Sequence, residues 1–166
     1  MTTVHLHLLI NHLPVIGAVI ALALLAVAIA RRSDELARVT FWLYAALGAA
    51  AVAVYLTGEP AEDGVERLAG VSKAMIEQHE EVALVATIAM GVAGALALLA
   101  VFMFRRRALP RRIVGTGMAV ALLITGLMGY TANLGGKIRH TEIRSGGAGP
   151  TQSSGVQMPG RGAADD

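Results

Sequence analysis

The sequence predicts an all-α integral membrane protein folded as a four-helix bundle. Hydrophobic residues make up 55% of its 166 positions but aromatic residues only 4%, so Ala, Leu and Val in long runs provide the apolar mass. Four apolar spans, at about residues 4–30, 39–57, 80–104 and 113–134, are near or above the ~20 residues that a helix needs to cross a bilayer. The spans lack the period-2 alternation of barrel strands, and only helices or closed barrels satisfy the backbone in lipid.

We expect the first span to be a retained helix and not a cleaved signal peptide. No positively charged segment precedes it, it carries no small-x-small cleavage site, and it is longer than the apolar part of a signal peptide. Pro14 is expected to bend this helix near its outer end.

Two arginine-rich linkers, RRSDELAR (31–38) and RRRALPRR (105–112), set the expected orientation. By the positive-inside rule both linkers are cytoplasmic, so the N-terminus, the loop between the second and third helices and the C-terminus are periplasmic. We therefore expect a multi-pass protein of the bacterial inner membrane. Since eight of the fourteen basic residues are arginines of these two short linkers, the pI near 9.4 does not indicate a nucleic-acid partner.

The chain divides into a transmembrane domain over residues 1–144 and a tail over residues 145–166. Within the domain, the loop 58–79 is acidic, as its periplasmic position requires. Ser72 is the predicted N-cap of the third helix, which then begins about two turns before the lipid. The tail is rich in Gly, Ser and Pro with hardly any hydrophobic residue, so we expect it to be disordered and to carry no chemistry.

The chain contains no cysteine, which restricts the chemistry available to it. Disulfides, iron–sulfur clusters, thiolate zinc, blue copper, thiol catalysis and covalent c-type haem attachment are all excluded. Any cofactor must be held by His, Met, carboxylate or backbone groups.

All five histidines fall on the periplasmic half of the predicted bundle. Counted from the arginines, four of them lie in one layer about 36–42 Å away, and these are His5, His7, His79 and His140. His12 lies about 10 Å deeper, within the hydrocarbon. An ionisable group in a membrane is costly unless it is paired, so such a histidine is a functional candidate. Each histidine also has a plain alternative, as a solvated interfacial group or a hydrogen-bonding partner.

Paired histidines on facing helices suit haem. Haem iron takes two axial imidazoles, and a bundle interior lined with Ala and Gly leaves room for the macrocycle. The predicted axial pair is His12 or His7 from the first helix with His79 from the third. A second haem iron or a haem propionate would be bound after the fourth helix, by His140, Lys137 and Arg139.

The stretch HLLINHLPVIG, which contains His7 and His12, resembles the H-x4-H-x-P opening of small bacterial four-helix membrane proteins grouped as a domain of unknown function. In that group a histidine also occurs near the outer end of the third helix, as His79 does here. A GG pair precedes a histidine after the fourth helix, as it precedes His140. The resemblance covers about residues 4–144 and implies a four-helix, redox-like membrane module similar to b-type cytochromes.

These features predict a membrane electron-transfer subunit that binds b-type haem near the periplasmic face. We expect it to be an electron carrier or a subunit of a complex more than a stand-alone enzyme. Expected partners are membrane lipid, other membrane subunits, a periplasmic c-type cytochrome and quinol. One alternative is a non-haem copper, iron or zinc site built from His5, His7, His79 and His140 with Glu80 or Glu59. Another is a structural accessory subunit of a respiratory or photosynthetic complex. A hydrolase is least favoured, because neither a Ser–His–Asp geometry nor an H-E-x-x-H spacing appears.

Overall fold

The computed structural model describes residues 3–65 and 72–139. This part of the chain is all-helical, with the elements α1 (Thr3–Ile10), α2 (His12–Arg31), α3 (Asp34–Val65), α4 (Lys73–Met103) and α5 (Arg111–Arg139). By length and composition, four helices can cross a membrane, and they are His5–Arg31, Asp34–Gly58, Lys73–Met103 and Arg111–Ile138. The first of them combines α1 and α2. The predicted all-α class and the four apolar helices are confirmed.

The boundary between α1 and α2 lies at a single residue, Asn11. The Asn11 N–H still donates to the His7 carbonyl oxygen over 2.9 Å, so the helical path is almost continuous. Pro14 is buried in the first turn of α2 and has no N–H, so it removes the helical donor to the Ile10 carbonyl. This lost hydrogen bond accounts for the interruption at Asn11.

The turn between α2 and α3 takes only two residues. Arg32 ends α2 in the left-handed conformation (φ 52°, ψ 36°), and the Ser33 N–H donates to the Ala28 carbonyl over 2.9 Å. This pattern closes the helix as a Schellman motif does. The Ser33 hydroxyl then accepts the Leu36 N–H over 3.2 Å and caps α3. So short a connection makes α2 and α3 antiparallel neighbours.

The helices pack in a ring in which α2 and α4 each contact both α3 and α5, while α1 packs on α3. Contacts between the start of one helix and the end of the next show that neighbours run antiparallel. We call the end of the bundle with Arg31, Asp34 and Leu109 the arginine end. The opposite end, with His7 and His79, is the histidine end.

Alanines make up much of the interior of this ring, and many large apolar side chains face outward. Ala18 and Ala21 are completely buried, whereas the side chains of Leu56 and Leu123 are 68% and 74% exposed. Exposed leucines are costly in water, but lipid is as apolar as leucine and solvates them. This exposed apolar surface is consistent with four helices that are long and apolar enough to span a membrane.

A seven-residue sequence, ALALLAV, occurs in α2 at 21–27 and again in α4 at 95–101. In both copies a glycine precedes it at the same distance, and an arginine pair follows it at the same distance. The two helical hairpins, α2 with α3 and α4 with α5, thus begin with related helices.

Glycines let α3 and α4 approach until their backbones touch. A Cβ added at Gly94 would lie 2.7 Å from the Tyr44 carbonyl oxygen, and one added at Gly48 would lie 3.1 Å from the Met90 carbonyl oxygen. Both distances are shorter than carbon and oxygen tolerate without movement. We call this contact the glycine seam, and close small-residue packing of this kind is what holds helices together in lipid.

Polar groups join the two hairpins at the arginine end. Asp34 accepts hydrogen bonds from Arg38 Nε and from the Leu109 N–H, each over 2.6 Å. Arg38 Nη2 also donates to the Phe104 carbonyl over 2.8 Å and to the Arg107 carbonyl. This arginine-end cluster connects the start of α3 to the α4–α5 linker and satisfies carbonyls that follow the end of α4.

The outer part of α3 extends beyond the predicted membrane span. Residues 58–79 are not one loop as predicted, since α3 continues to Val65 and α4 begins at Lys73. This extension contains Gly58, Pro60 and Gly64, which all disfavour a helix interior, so helix propensity does not explain it. Ser72 is the N-cap, as predicted, although its hydroxyl makes no capping hydrogen bond. The tail at 145–166 lies outside the described residues.

The glycine seam predicts opposite effects for two alanine substitutions in α4. Gly94→Ala should lower the free energy of unfolding by about 1–3 kcal/mol, because its Cβ forces α3 and α4 apart. Gly91→Ala, one turn away with no atom within 4 Å of its Cβ, should be neutral or stabilise by up to about 1 kcal/mol. Far-UV circular dichroism during SDS titration of the detergent-solubilised protein measures both. Equal free energies of unfolding for the two variants would contradict the role of Gly94 in the close contact of α3 and α4.

The arginine-end cluster predicts a smaller loss for Arg38→Ala. Three charge-assisted hydrogen bonds disappear, but the site is partly exposed, so we expect a loss of about 1 kcal/mol. Arg31→Ala removes an exposed arginine from the same end and is the matched control, with little expected change. The same SDS titration compares them, and the cluster has no structural role if both variants unfold alike.

Candidate functional site

His7 lies on α1 and its imidazole packs against the outer part of α3. Its Nδ1 atom is 3.2 Å from the Val54 carbonyl oxygen and 3.2 Å from Thr57 Oγ1. Because a carbonyl oxygen can only accept, Nδ1 of the neutral ring carries the proton. The Cε1 edge of the ring faces Gly58, where an added Cβ would lie 3.5 Å away.

His79 lies on α4 and its imidazole packs against α5 at the same end of the bundle. Its Nδ1 atom is 3.2 Å from the Thr131 carbonyl oxygen. The Thr131 hydroxyl is itself engaged, since it donates to the Leu127 carbonyl over 2.9 Å. A Cβ added at Gly135 would lie 3.2 Å from His79 Cε1, so this glycine gives the ring its space.

The two imidazoles are held in the same way by two different helices. In each case Nδ1 faces a carbonyl of the neighbouring helix, and the ring edge faces a glycine four residues later in that helix. With the proton on Nδ1, the lone pair of the neutral ring is on Nε2, one of the two nitrogens through which histidine binds metals. Among the described residues, neither Nε2 atom has a hydrogen-bond partner.

His7 and His79 lie at the same end of the bundle, one against the outer part of α3 and the other against the outer part of α5. Both are partly buried, and they belong to helices that are not neighbours in the ring of four. The fold therefore directs two oriented imidazoles from opposite sides of the bundle to one level at the histidine end.

His12, the deepest of the predicted ligands, is not part of this pair. It is exposed at the start of α2. Five residues separate it from His7, and five residues turn a helix by about 140° beyond a full circle, so the two side chains leave the helix in different directions. Of the two first-span candidates for an axial ligand, His7 is the one whose ring packs against a neighbouring helix at the histidine end, as the ring of His79 does.

The remaining predicted residues lie around this pair or outside the described chain. His5 is exposed on α1, and Lys137 is partly buried on α5. Arg139 is the last residue of α5, and His140 lies outside the described residues. Within residues 3–65 and 72–139, no group of three or more His, Asp or Glu side chains is placed to hold a metal ion.

The spacing of residues along each helix predicts which histidine is partly buried. His7 precedes the buried Pro14 by seven residues, and His79 precedes the buried Ala86 by seven residues. Seven residues are nearly two helical turns, so each histidine continues the buried stripe of its own helix. The predicted depth in the membrane favoured His12 as a ligand, whereas the buried stripe of the helix predicts that His7 packs inside the bundle.

Comparisons with protein-family models, with curated proteins and with solved structures found no match for this chain. The fold and the site therefore define its class: an all-α protein with four helices long and apolar enough to span a membrane, and an imidazole pair at one end. The resemblance to small bacterial four-helix membrane proteins stays a prediction.

The hydrogen bonds at Nδ1 predict the tautomers of the two buried rings. In protein labelled with [15N]histidine and held above about pH 8, where a histidine of ordinary pKa is neutral, His7 and His79 should carry their proton on Nδ1. A two-bond 15N–1H correlation spectrum measures this, with His7→Ala and His79→Ala to assign the signals. The exposed His12 is the internal reference, and an Nε2–H pattern for both buried rings would rule out the carbonyl contacts.

Proposed function

We propose that this chain is an electron-transfer subunit of the bacterial inner membrane that binds b-type haem near the periplasmic face. His7 and His79 are the proposed axial ligands. The observation that carries the proposal is the pair of imidazoles at the histidine end, each with Nδ1 on a backbone carbonyl and with no partner for Nε2 among the described residues. When bound, haem supplies an iron centre that accepts and releases one electron.

The number of ligands favours haem over a non-haem metal. A macrocycle provides four of the six iron ligands, so the protein needs to supply only two. Protein-bound zinc, and copper in its usual protein sites, takes three or four protein side chains. His7 and His79 provide two oriented imidazoles at one end of the bundle, and the described residues include no group of three or more His, Asp or Glu side chains placed to hold a metal ion.

The surroundings of the two rings fit the role of axial ligands. A hydrogen bond from Nδ1 to a carbonyl fixes the tautomer and the ring orientation, and it makes Nε2 a better donor to iron. Val54 and Thr131 provide these carbonyls. Gly135 leaves the edge of the His79 ring clear, where an added Cβ at 3.2 Å would press on the imidazole, and Gly58 faces the edge of the His7 ring. Lys137, Arg139 and His140 are the proposed propionate contacts at the end of α5.

The distribution of arginine supports the proposed orientation. All the arginines of the two short linkers are at the arginine end, which we assign to the cytoplasm, so both termini and the haem are periplasmic. A haem at that face is within reach of a periplasmic c-type cytochrome. The exposed leucines and valines of the four helices contact lipid or other membrane subunits.

Absorption spectra of the protein purified in detergent test the proposal. The wild type should show a Soret band when oxidised, and sharp α and β bands after reduction with dithionite. His7→Ala and His79→Ala should each remove at least about 90% of the haem absorbance per protein, because each deletes one of two iron ligands. Haem content and protein content are measured on the same samples, and circular dichroism verifies that each variant is helical.

Matched variants separate ligand loss from general damage. His12→Ala removes an exposed histidine of the same membrane span and should leave the spectrum unchanged. Gly135→Ala should shift the bands, because its Cβ presses on His79, whereas Gly129→Ala has open space around its Cβ and should not. Full haem binding by both His7→Ala and His79→Ala would overturn the axial assignment.

Two other outcomes would replace the proposal. A colourless preparation with stoichiometric copper or iron would identify a non-haem metal site. A preparation without metal that retains large membrane subunits would identify a structural accessory subunit, in which the imidazoles only hydrogen-bond to α3 and α5.

A further inference from the structure

A second site lies in the other half of the bundle, between α3, α4 and α5. It is a cavity of about 260 Å³ whose wall is mostly apolar and includes Phe41, Leu96 and Ala97. Leu96 is 59% exposed, so the cavity reaches the lipid-facing surface of α4. Along α3 it ends at Tyr44, ten residues from the carbonyl that holds His7, a separation of about 15 Å. It is therefore distinct from the imidazole pair.

One residue of the cavity wall carries a buried hydrogen-bond donor for which the described part of the chain provides no acceptor. Tyr44 lines the cavity and is only 5% exposed. Its hydroxyl oxygen is buried and has no hydrogen-bond partner within the described part of the chain. A buried hydroxyl without a partner costs free energy, and tyrosine in such a place normally finds one. Phenylalanine would fill the same volume without that cost.

The same cavity offers a second group of donors at the surface. Arg112 and Thr116, one turn apart near the start of α5, line the cavity and are exposed. The site thus combines a donor in the interior, donors at the opening and apolar walls with one aromatic ring between them. A ligand that satisfies it is apolar, enters from the lipid and carries acceptor oxygens at two positions.

We propose that this cavity binds the head group of a lipophilic quinone, with the Tyr44 hydroxyl donating to one ring carbonyl. A para-quinone has two carbonyl oxygens on opposite sides of one flat, apolar ring, which matches donors at the inner and outer ends. The volume is below the ~300–1,000 Å³ of pockets that enclose whole drug-sized ligands, so it holds the ring and leaves the tail in the lipid.

Other lipid-soluble molecules satisfy only part of the site. A phospholipid acyl chain or a detergent tail fills the apolar walls but leaves the Tyr44 hydroxyl without an acceptor. A fatty acid would place its carboxylate at Arg112, at the exposed end, and its methyl end at Tyr44. Quinol was expected as a partner at the periplasmic membrane edge, and the cavity instead places this partner in the half nearer the arginines.

The quinone's role as an electron partner of the haem rests on the proposed function, but its binding does not. Trp42, the only tryptophan, is two residues from Tyr44, so quenching of its fluorescence reports a quinone in the cavity. The experiment titrates quinone-depleted protein in detergent with a decyl-substituted benzoquinone and fits a dissociation constant.

Three variants test whether the quenching comes from quinone bound in the cavity. Tyr44→Phe should weaken binding by about five- to tenfold, the usual effect of losing one buried hydrogen bond. Tyr55→Phe, an exposed tyrosine of the same helix, should bind as the wild type does. Ala97→Leu fills the cavity and should abolish saturable quenching. Because Tyr44→Phe removes only a hydroxyl without a partner, it should fold at least as stably as the wild type.

The outcomes separate this proposal from the proposed function. His79→Ala should lose haem and keep quinone affinity, so a failure of one site leaves the other testable. Equal affinity of wild type and Tyr44→Phe, or quenching that Ala97→Leu does not remove, would overturn the quinone site. Mass spectrometry of the purified wild type that finds a stoichiometric fatty acid or phospholipid, absent from Ala97→Leu, would overturn it in favour of a lipid site.

Discussion

The close backbone contact between α3 and α4 at the glycine seam is the constraint on which the rest of the structure depends. Lipid offers no hydrophobic gain for bringing apolar helices together, so van der Waals contact between small residues must do so. Gly48 and Gly94 bring the two backbones to contact distance in the middle of the bundle. The helix α2 then packs on α3, α5 packs on α4, and α2 and α5 close the ring against each other, so the axial positions of all four helices are set together.

The positions of the helices along the bundle axis place the two imidazoles at one level. His7 is held by α3 and His79 by α5, so neither histidine is positioned by the other. A shift of α3 along α4 by one turn would separate the rings by about 5.4 Å. The arginine-end cluster opposes such a shift at the other end, because Asp34 and Arg38 on α3 bond to the linker that follows α4.

Backbone carbonyl groups near the outer ends of α3 and α5 accept the hydrogen bonds that orient the two imidazoles. A carbonyl oxygen has two lone pairs, so one inside a helix can accept a side-chain donor in addition to its helical partner. The Val54 carbonyl accepts from the His7 ring in this way, and the Thr131 carbonyl accepts from the His79 ring. Within the described part of the chain, these two half-buried imidazoles are oriented by backbone oxygens and not by a carboxylate, so their orientation adds no further charge.

The sequence by itself determined the helical class, the four apolar spans, the segregation of arginine and histidine to opposite ends, and the helix start at Ser72. These follow from composition and distance along the chain, which local hydrogen bonding converts into helix length. It also placed His7 and His79 at similar depth, because depth depends only on the number of residues from the arginines.

Only the tertiary structure decided which histidines pack against a neighbouring helix. The direction of a side chain depends on the rotation of its helix against its neighbours, and that rotation is set by the seam and by the break at Asn11, so His7 faces the bundle and His12 does not. The backbone acceptors at Val54 and Thr131 and the cavity beside Tyr44 have no sequence motif. They arise where separate helices come together. A backbone carbonyl can hold a histidine of another helix, and a cavity can form between helices, only when those helices pack side by side.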